Sequence, residues 1–341
     1  MTVSACILGC SGAVLSPAER AFFGAVRPWG FILFARNIET PDQVRALVAA
    51  LRESVGRPDA PILIDQEGGR VQRLGPPHWR RYPPGRAYGQ LAANDPLLQR
   101  EITRLGARLL AHDLAALGIN VDCVPVLDVP DPEGHAVIGD RAYGETPDQV
   151  AVLGRAACEG LIAGGVLPVI KHIPGHGRAR ADSHLELPVV DAGWDDLDAR
   201  DFAPFKALSD MPMAMTAHVI YAAVDHKRPA TTSSKVMKTV IREAIGFGGL
   251  VMSDDLSMKA LAGDFRQRAR AALRAGCDVV LHCNGDMAEM KAVVAGTGAL
   301  KGRAGRRAEA ALARVARTPE PFDLAAGRAR FDAAFEGRWA P

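Results

Sequence analysis

The sequence predicts an α/β protein built as a single (β/α)₈ TIM-type barrel with extra C-terminal helices. Short apolar runs rich in β-branched residues alternate with amphipathic segments, which is typical of parallel strands joined by crossover helices. There are eight such runs, and polar side chains follow closely after six of them. The predicted strands cover residues 5–9, 30–34, 61–64, 118–126, 166–170, 211–215, 249–252 and 277–281.

Helical patterns occupy the intervals between these runs. They are predicted at residues 40–55, 97–117, 146–163, 194–208, 234–245 and 260–275, followed by two Ala- and Arg-rich terminal helices at 302–316 and 321–335. A barrel of this kind needs ~250 residues plus insertions. The 341 residues therefore predict one domain over 1–341.

The polar residues that follow the apolar runs locate a candidate site. They are Asp65, Asp128, Lys171 with His172, His218, Asp254 and His282. Barrel enzymes place their catalytic side chains at the C-terminal ends of the strands. These residues are therefore expected at one mouth of the barrel.

Composition excludes several classes of partner. The chain has 41 Lys and Arg against 39 Asp and Glu, so its net charge of +2 gives no field for nucleic acid or a membrane surface. No apolar stretch is long enough to span a bilayer, and no basic segment precedes the first apolar run. The six cysteines lack metal-binding spacing, which indicates a reducing compartment. We expect a cytoplasmic protein.

The segment after the fifth run reads KHIPGHGRARADSH and ends at His184. His184 follows Asp182 by two residues, so in an extended segment both side chains point to one side. The carboxylate can then fix the imidazole tautomer and support its protonated form, as a general acid/base requires. An exposed loop histidine with an acidic neighbour is the structural alternative. In the same loop, Arg178 and Arg180 can recognise an anionic ligand or can be solvated surface residues.

Asp254 follows the seventh run in the segment Ser-Asp-Asp. An ionised carboxylate held at a rigid strand end can act as a nucleophile. The same residues are also good helix caps. Of the two acids, we assign the cap to Asp255.

Three segments together carry a family resemblance: IDQEGGRVQR at 64–73, KHxPGHG followed by DSH at 171–184, and SDDLSM at 253–258. Over residues 32–283 the chain resembles the family 3 glycoside hydrolases, and within them the single-domain NagZ-type β-N-acetylglucosaminidases of bacteria. Ile173, Asp140 and Met252 depart from the expected Phe, Glu and Phe.

The resemblance implies a retaining exo-β-N-acetylglucosaminidase, a β-N-acetylhexosaminidase that needs no cofactor or metal. It makes Asp254 the nucleophile and His184 with Asp182 the acid/base. It implies substrate binding by Asp65, Arg73, Arg141, Lys171 and His172. The implied substrate is an N-acetylglucosaminyl-1,6-anhydromuramoyl peptide from peptidoglycan recycling, which serves cell-wall biogenesis, cell shape and division. We expect a monomer or a weak homodimer.

Three alternatives remain open from the residues. A metal-dependent barrel hydrolase can use His172, His176 and His184, although Pro174 and Gly175 deny these histidines a common helical face. A phosphorylase is compatible with a neutral histidine acid/base, which does not repel an anionic acceptor. A sugar-binding barrel without activity is the third alternative.

Overall fold

A computed structural model describes residues 2–91, 95–181, 183, 186–315 and 318–338. It shows a closed barrel of eight parallel strands in which β1 pairs with both β2 and β8. The strands are β1 Ser4–Gly9, β2 Pro28–Leu33, β3 Ile62–Ile64, β4 Val121–Asp122, β5 Leu167–Ile173, β6 Met213–Thr216, β7 Leu250–Asp255 and β8 Val279–His282. Each overlaps one predicted run, so the predicted (β/α)₈ architecture is confirmed.

Helices surround the barrel. They are α1 Pro17–Val26, α2 Pro41–Val55, α3 Gly85–Gln90, α4 Pro96–Ala115, α5 Pro147–Ala163, α6 Trp194–Asp196 with its continuations Leu197–Asp201 and Ala203–Ala207, α7 Val236–Ala244, α8 Phe265–Ala275, α9 Met287–Gly296, α10 Gly302–Val315 and α11 Leu324–Ala334. Helices α1, α3 and α9 were not predicted from the sequence. A signal for α1 was present, because Ser16 and Glu19 form a capping box at its start.

The helix after β7 corrects one prediction. It begins at Phe265 rather than at residue 260, and Asp264 caps it by accepting from the amide of Gln267. Asp255 is therefore not the N-cap. Its carboxylate accepts from the amide of Ser257 at 3.1 Å and from the amide of Cys283 at 3.2 Å, so it ties the turn after β7 to the end of β8.

Two apolar layers hold the fold together. One fills the barrel and includes Leu63, Met213 and Met215, and the other lies between the strands and the helices. At the N-terminal end of the barrel, α10 contributes Ala308 and Ala311 to the inner layer. This helix closes the end opposite the predicted site.

The C-terminal helix α11 packs on the outer layer. Phe331 is fully buried, and its ring centroid lies 6.1 Å from that of Tyr82 and 6.3 Å from that of Tyr88. None of the helices in the described ranges combines the length and apolar character needed to cross a bilayer.

Candidate active site

A cleft of about 610 Å³ opens at the C-terminal end of the barrel. Six of the predicted site residues line it: Asp65, Arg73, Arg141, Lys171, His172 and Asp254. They come from strand ends and loops far apart in sequence, and barrel closure brings them together. Asp182 and His184 lie outside the described residues.

Buried ion pairs form one wall of the cleft. Lys171 Nζ lies 2.9 Å from Asp65 Oδ1 and 2.7 Å from Glu67 Oε1. Arg73 contacts the other oxygen of Asp65 at 3.3 Å, whereas Arg141 makes two 2.8 Å hydrogen bonds to Glu67. Two acids and three cations thus hold one another in a fixed geometry.

This network keeps its members ionised. Burial alone would raise the pKa of Asp65 and of Glu67, but the adjacent Lys171 and the arginines outweigh it and lower both pKa values. Burial would likewise lower the pKa of Lys171, yet its two carboxylate partners raise it. Each ammonium has three donors, so Lys171 keeps one N–H for a ligand after binding both acids.

His172 is oriented from behind by a fully buried carboxylate. Its Nδ1 lies 2.7 Å from Asp128 Oδ2, so this nitrogen carries the proton and Nε2 is left for a ligand. Asp128 Oδ1 accepts from the amides of His172 at 3.2 Å and of His176 at 2.6 Å. Asp128 therefore fixes both the ring and the start of the following loop.

The side chain of His176 bridges two parts of that loop. Its Nε2 lies 3.2 Å from Ser183 Oγ, while the backbone carbonyl of Ser183 accepts from the amide of Ala260 at 3.3 Å. Burial lowers the pKa of His176 to about 4, so the ring is neutral at pH 7. His176 therefore holds the loop together through its contact with Ser183.

Asp254 lies on β7 and faces the cleft. Its Oδ1 accepts from the amide of Asp255 at 2.8 Å. Burial would raise its pKa, but the positive charge that His218 and His172 carry when protonated, together with the hydrogen bond from the Asp255 amide, lowers it below the ordinary range. Asp254 is therefore an ionised carboxylate at neutral pH, as a nucleophile requires.

The loop arginines already have protein partners. Arg178 Nε donates to Asp201 Oδ2 at 2.7 Å, and its Nη1 lies 3.5 Å from Asp131. Arg180 pairs with Glu133 at the surface. The pair of Arg178 with the buried Asp201 holds the loop against a neighbouring segment.

The remaining strand-end histidines do not line the cleft. His218 is buried behind Asp255, and His282 packs edge-on against Phe265. Within the described ranges no group of three His, Cys, Asp or Glu side chains is arranged to hold a metal ion.

The side chain of Gln66 is buried and orders the loop after β3, because it forms hydrogen bonds with the backbone of Arg73 and Leu74.

Sequence reasoning missed Glu67 as a site residue, and it did not assign Asp128 a role. The signal for Glu67 was its spacing of two from Asp65, which places both side chains on one side of an extended segment. Its partners, Lys171 and Arg141, are more than 70 positions away, so nothing local in the sequence identifies the pair.

Comparisons with known proteins show which family the chain belongs to. Residues 27–318 match the model of the glycosyl hydrolase family 3 N-terminal domain. A β-hexosaminidase of Methylococcus capsulatus is 43% identical over 277 residues, which are 80% of each chain. The solved structure of NagZ from Neisseria gonorrhoeae in complex with N-trifluoroacetyl-D-glucosamine has a TM-score of 0.85 and 33% identity, and the match covers 100% of this chain and 99% of that one. A complex of the same protein with a zinc ion has a TM-score of 0.83 and 32% identity, and the match covers 99% of this chain and 97% of that one.

The family match over residues 27–318 and the identity to β-hexosaminidases show that the chain is a glycoside hydrolase and belongs to glycosyl hydrolase family 3. Within the family it is a β-N-acetylhexosaminidase of the NagZ type.

Proposed function

We propose that this enzyme is a retaining exo-β-N-acetylglucosaminidase that forms a covalent glycosyl intermediate on Asp254. The observation that carries the proposal is the position of the Asp254 carboxylate, which lies at the end of β7, lines the cleft and accepts a hydrogen bond from the amide of Asp255. A nucleophile of this kind needs a low pKa and a fixed orientation, and the amide of Asp255 supplies part of both.

The buried ion-pair wall is suited to the terminal sugar. Asp65, Arg73, Lys171 and Arg141 present charged donors and acceptors at fixed positions, and His172 adds its Nε2. Vicinal hydroxyls can bridge such groups, which orients the anomeric carbon toward Asp254. The relative from N. gonorrhoeae binds N-trifluoroacetyl-D-glucosamine, which supports an N-acylated glucosamine in this subsite.

The chemistry proceeds in two steps. Asp254 attacks the anomeric carbon while His184, paired with Asp182, donates a proton to the departing glycosidic oxygen. His184 then takes a proton from water, whose oxygen attacks the same carbon and releases Asp254. The roles of His184 and Asp182 are assigned from their spacing and from the family resemblance.

We propose that N-acetylglucosaminyl-1,6-anhydromuramoyl peptides are the physiological substrate and that the enzyme acts in cytoplasmic peptidoglycan recycling.

We also propose that residues 1–341 form one domain. The packing of α11 against Tyr82 and Tyr88 supports this, because it joins the C-terminal helix to the outer layer of the barrel.

The test of the nucleophile is covalent labelling. A slow 5-fluoro N-acetylglucosaminide, or a 2-fluoro glucoside in which fluorine replaces the 2-acetamido group, should add one sugar to the peptide that contains Asp254, as located by fragmentation mass spectrometry. Asp254→Asn should abolish the label, whereas Asp255→Asn should retain it. Proton NMR should show the β-anomer as the first product. A label on another residue, or an α-anomer, contradicts the proposal.

The same assay separates the alternatives. Added inorganic phosphate should leave the product as free sugar, and a glycosyl phosphate would identify a phosphorylase instead. A sugar-binding barrel would release no aglycone. Activity that is lost on chelation and restored by zinc would favour a metal-dependent hydrolase.

A further inference from the structure

His218 lies just after β6, behind the strand that carries Asp254. It is completely buried and does not line the cleft. Both ring nitrogens are engaged: Nδ1 lies 2.7 Å from Thr231 Oγ1, and Nε2 lies 3.0 Å from the backbone carbonyl oxygen of Asp255. No step of the proposed mechanism uses this buried, titratable side chain.

The partners decide where the imidazole proton is. A carbonyl oxygen can only accept, so Nε2 must carry a hydrogen and donate it to Asp255. In the neutral ring Nδ1 then accepts from the Thr231 hydroxyl. Thr216 Oγ1 lies 2.7 Å from Thr231 Oγ1 and can donate to it in turn. The result is a chain of hydrogen bonds in which Thr216 donates to Thr231, Thr231 donates to His218, and His218 donates to the Asp255 carbonyl.

Asp255 links this chain to the proposed nucleophile. Its amide donates to Asp254 Oδ1 at 2.8 Å. Its carboxylate holds the amides of Ser257 and Cys283, and its carbonyl is held by His218. The backbone that orients the Asp254 carboxylate is therefore fixed at several points, and His218 supplies the contact to β6.

We propose that His218 is a positioning residue that holds Asp255, and through its amide the carboxylate of Asp254, as a neutral Nε2–H tautomer. This inference rests on the proposed role of Asp254. A neutral donor restrains the peptide without adding a positive charge beside the carboxylate. An imidazolium there would stabilise the ground state of the nucleophile and weaken its attack.

The electrostatic surroundings agree with a neutral ring. Burial lowers the pKa of His218 by more than the neighbouring Asp254 and Asp255 raise it. A doubly protonated ring would instead donate from Nδ1 to Thr231, whose hydroxyl would then turn to donate to the Ala217 carbonyl, 3.1 Å away. The neutral and the charged ring therefore differ in whether Nδ1 carries a proton, which can be measured.

The test uses two amide variants that differ in reach. In His218→Gln the amide N–H extends about as far as Nε2 and can still donate to Asp255. In His218→Asn it extends only about as far as Nδ1. We expect His218→Asn to lower kcat for an aryl N-acetylglucosaminide about 10- to 100-fold, as expected for a displaced reacting group. N-acetylglucosamine should bind with unchanged Kd, and His218→Gln should recover most of the lost rate.

Histidine ¹⁵N NMR of the unmodified enzyme at pH 7 supplies a readout that does not depend on how the variants fold. It should show His218 neutral and protonated on Nε2. A doubly protonated ring, a proton on Nδ1, equal losses in both variants or a loss confined to substrate binding would overturn the inference. If the fluoro-sugar label falls outside Asp254, the proposed function fails on its own evidence, while the NMR result still reports whether His218 donates to Asp255.

Discussion

At the scale of single residues, the site is organised around charges that cannot be removed one at a time. Lys171 is 2% exposed, and its ammonium is stable there because Asp65 and Glu67 lie within hydrogen-bonding distance. Taking an ion out of water costs several kcal/mol, which only close and well-oriented partners offset. The ion-pair wall that we propose binds the substrate is therefore also part of the stability of the barrel mouth.

Glu67→Gln removes one charge from this network. The substitution leaves Arg141 and Lys171 with one carboxylate fewer, so we expect the free energy of unfolding at pH 7 to fall by about 3 kcal/mol. Glu159→Gln is the matched control, because its pair with Arg100 is partly exposed, and there we expect a loss of about 0–1 kcal/mol. Urea unfolding of both variants measures the difference.

The pH dependence has a definite sign. The folded-state pKa of Glu67 is depressed, so its contribution is fully present above the unfolded value of about 4.3 and is lost as pH falls toward the folded value. The difference in the free energy of unfolding between Glu67→Gln and the unmodified enzyme should therefore become smaller as the pH falls from 6 to 3.5. A difference that does not change with pH would show that Glu67 acts through packing instead of charge.

At the scale of elements, the strands were predictable and several loops and helices were not. A barrel strand buried on both faces is a continuous apolar run, and its position can be recognised without knowing its neighbours. The segments that contribute Asp254 and Lys171 were found because they end such runs. The short helices α3 and α9 carry no strong periodicity, and α8 starts late because the turn after β7 is held by contacts to β8. Those contacts depend on tertiary structure.

The loop after β5 also contains features that depend on tertiary contacts and cannot be recognised from the sequence. Arg178 and Arg180 look equivalent in sequence, two positions apart and both candidates for an anionic ligand. In the structure Arg178 binds the buried Asp201, whereas the Arg180 side chain is 73% exposed and pairs with an equally exposed Glu133. Their consequences for the enzyme should therefore differ.

We expect Arg178→Ala to lower kcat/KM in parallel for a neutral aryl N-acetylglucosaminide and for a muropeptide, because it releases the brace on the loop. Arg180→Ala is the control and should change either value little, since an exposed pair contributes about 0–1 kcal/mol. Steady-state kinetics on both substrates gives the comparison. A loss confined to the muropeptide would instead identify Arg178 as an anion-binding residue.

Asp201 gives that variant a pH signature. Burial raises its pKa to about 6 even with Arg178 present, and removal of the arginine should raise the pKa further. An acid with a raised folded pKa favours the folded state below that value and loses the contribution as pH rises through it. The destabilisation caused by Arg178→Ala should therefore be larger at pH 8 than at pH 5 in thermal unfolding.

At the scale of the whole molecule, the barrel separates chemistry from stability. The cleft occupies the C-terminal mouth, while α10 closes the opposite end with Ala308 and Ala311. Between them, the outer apolar layer joins the helices to the strands. In barrels of this kind, substitutions at one end can leave the other end unaffected, because the loops at the C-terminal end form the site and the apolar layers stabilise the fold.

Phe331 on α11 tests this separation. Its ring is fully buried against Tyr82 and Tyr88 and does not line the cleft. Phe331→Ala removes a large apolar side chain from the outer layer, so we expect the free energy of unfolding to fall by about 3–5 kcal/mol. At a temperature where the variant is folded, kcat and KM for an aryl N-acetylglucosaminide should stay unchanged.

The control for Phe331→Ala is Leu97→Ala on the neighbouring helix α4, where the side chain is 81% exposed and its removal should leave both stability and activity unaltered. Denaturant midpoints and steady-state kinetics on the same preparations separate the two properties. If kcat falls in proportion to stability in Phe331→Ala, then α11 supports the catalytic mouth through Tyr82 and the adjoining loop that carries Arg73. The outer layer would then act on the chemistry, and the two functions of the barrel would not be separable at this position.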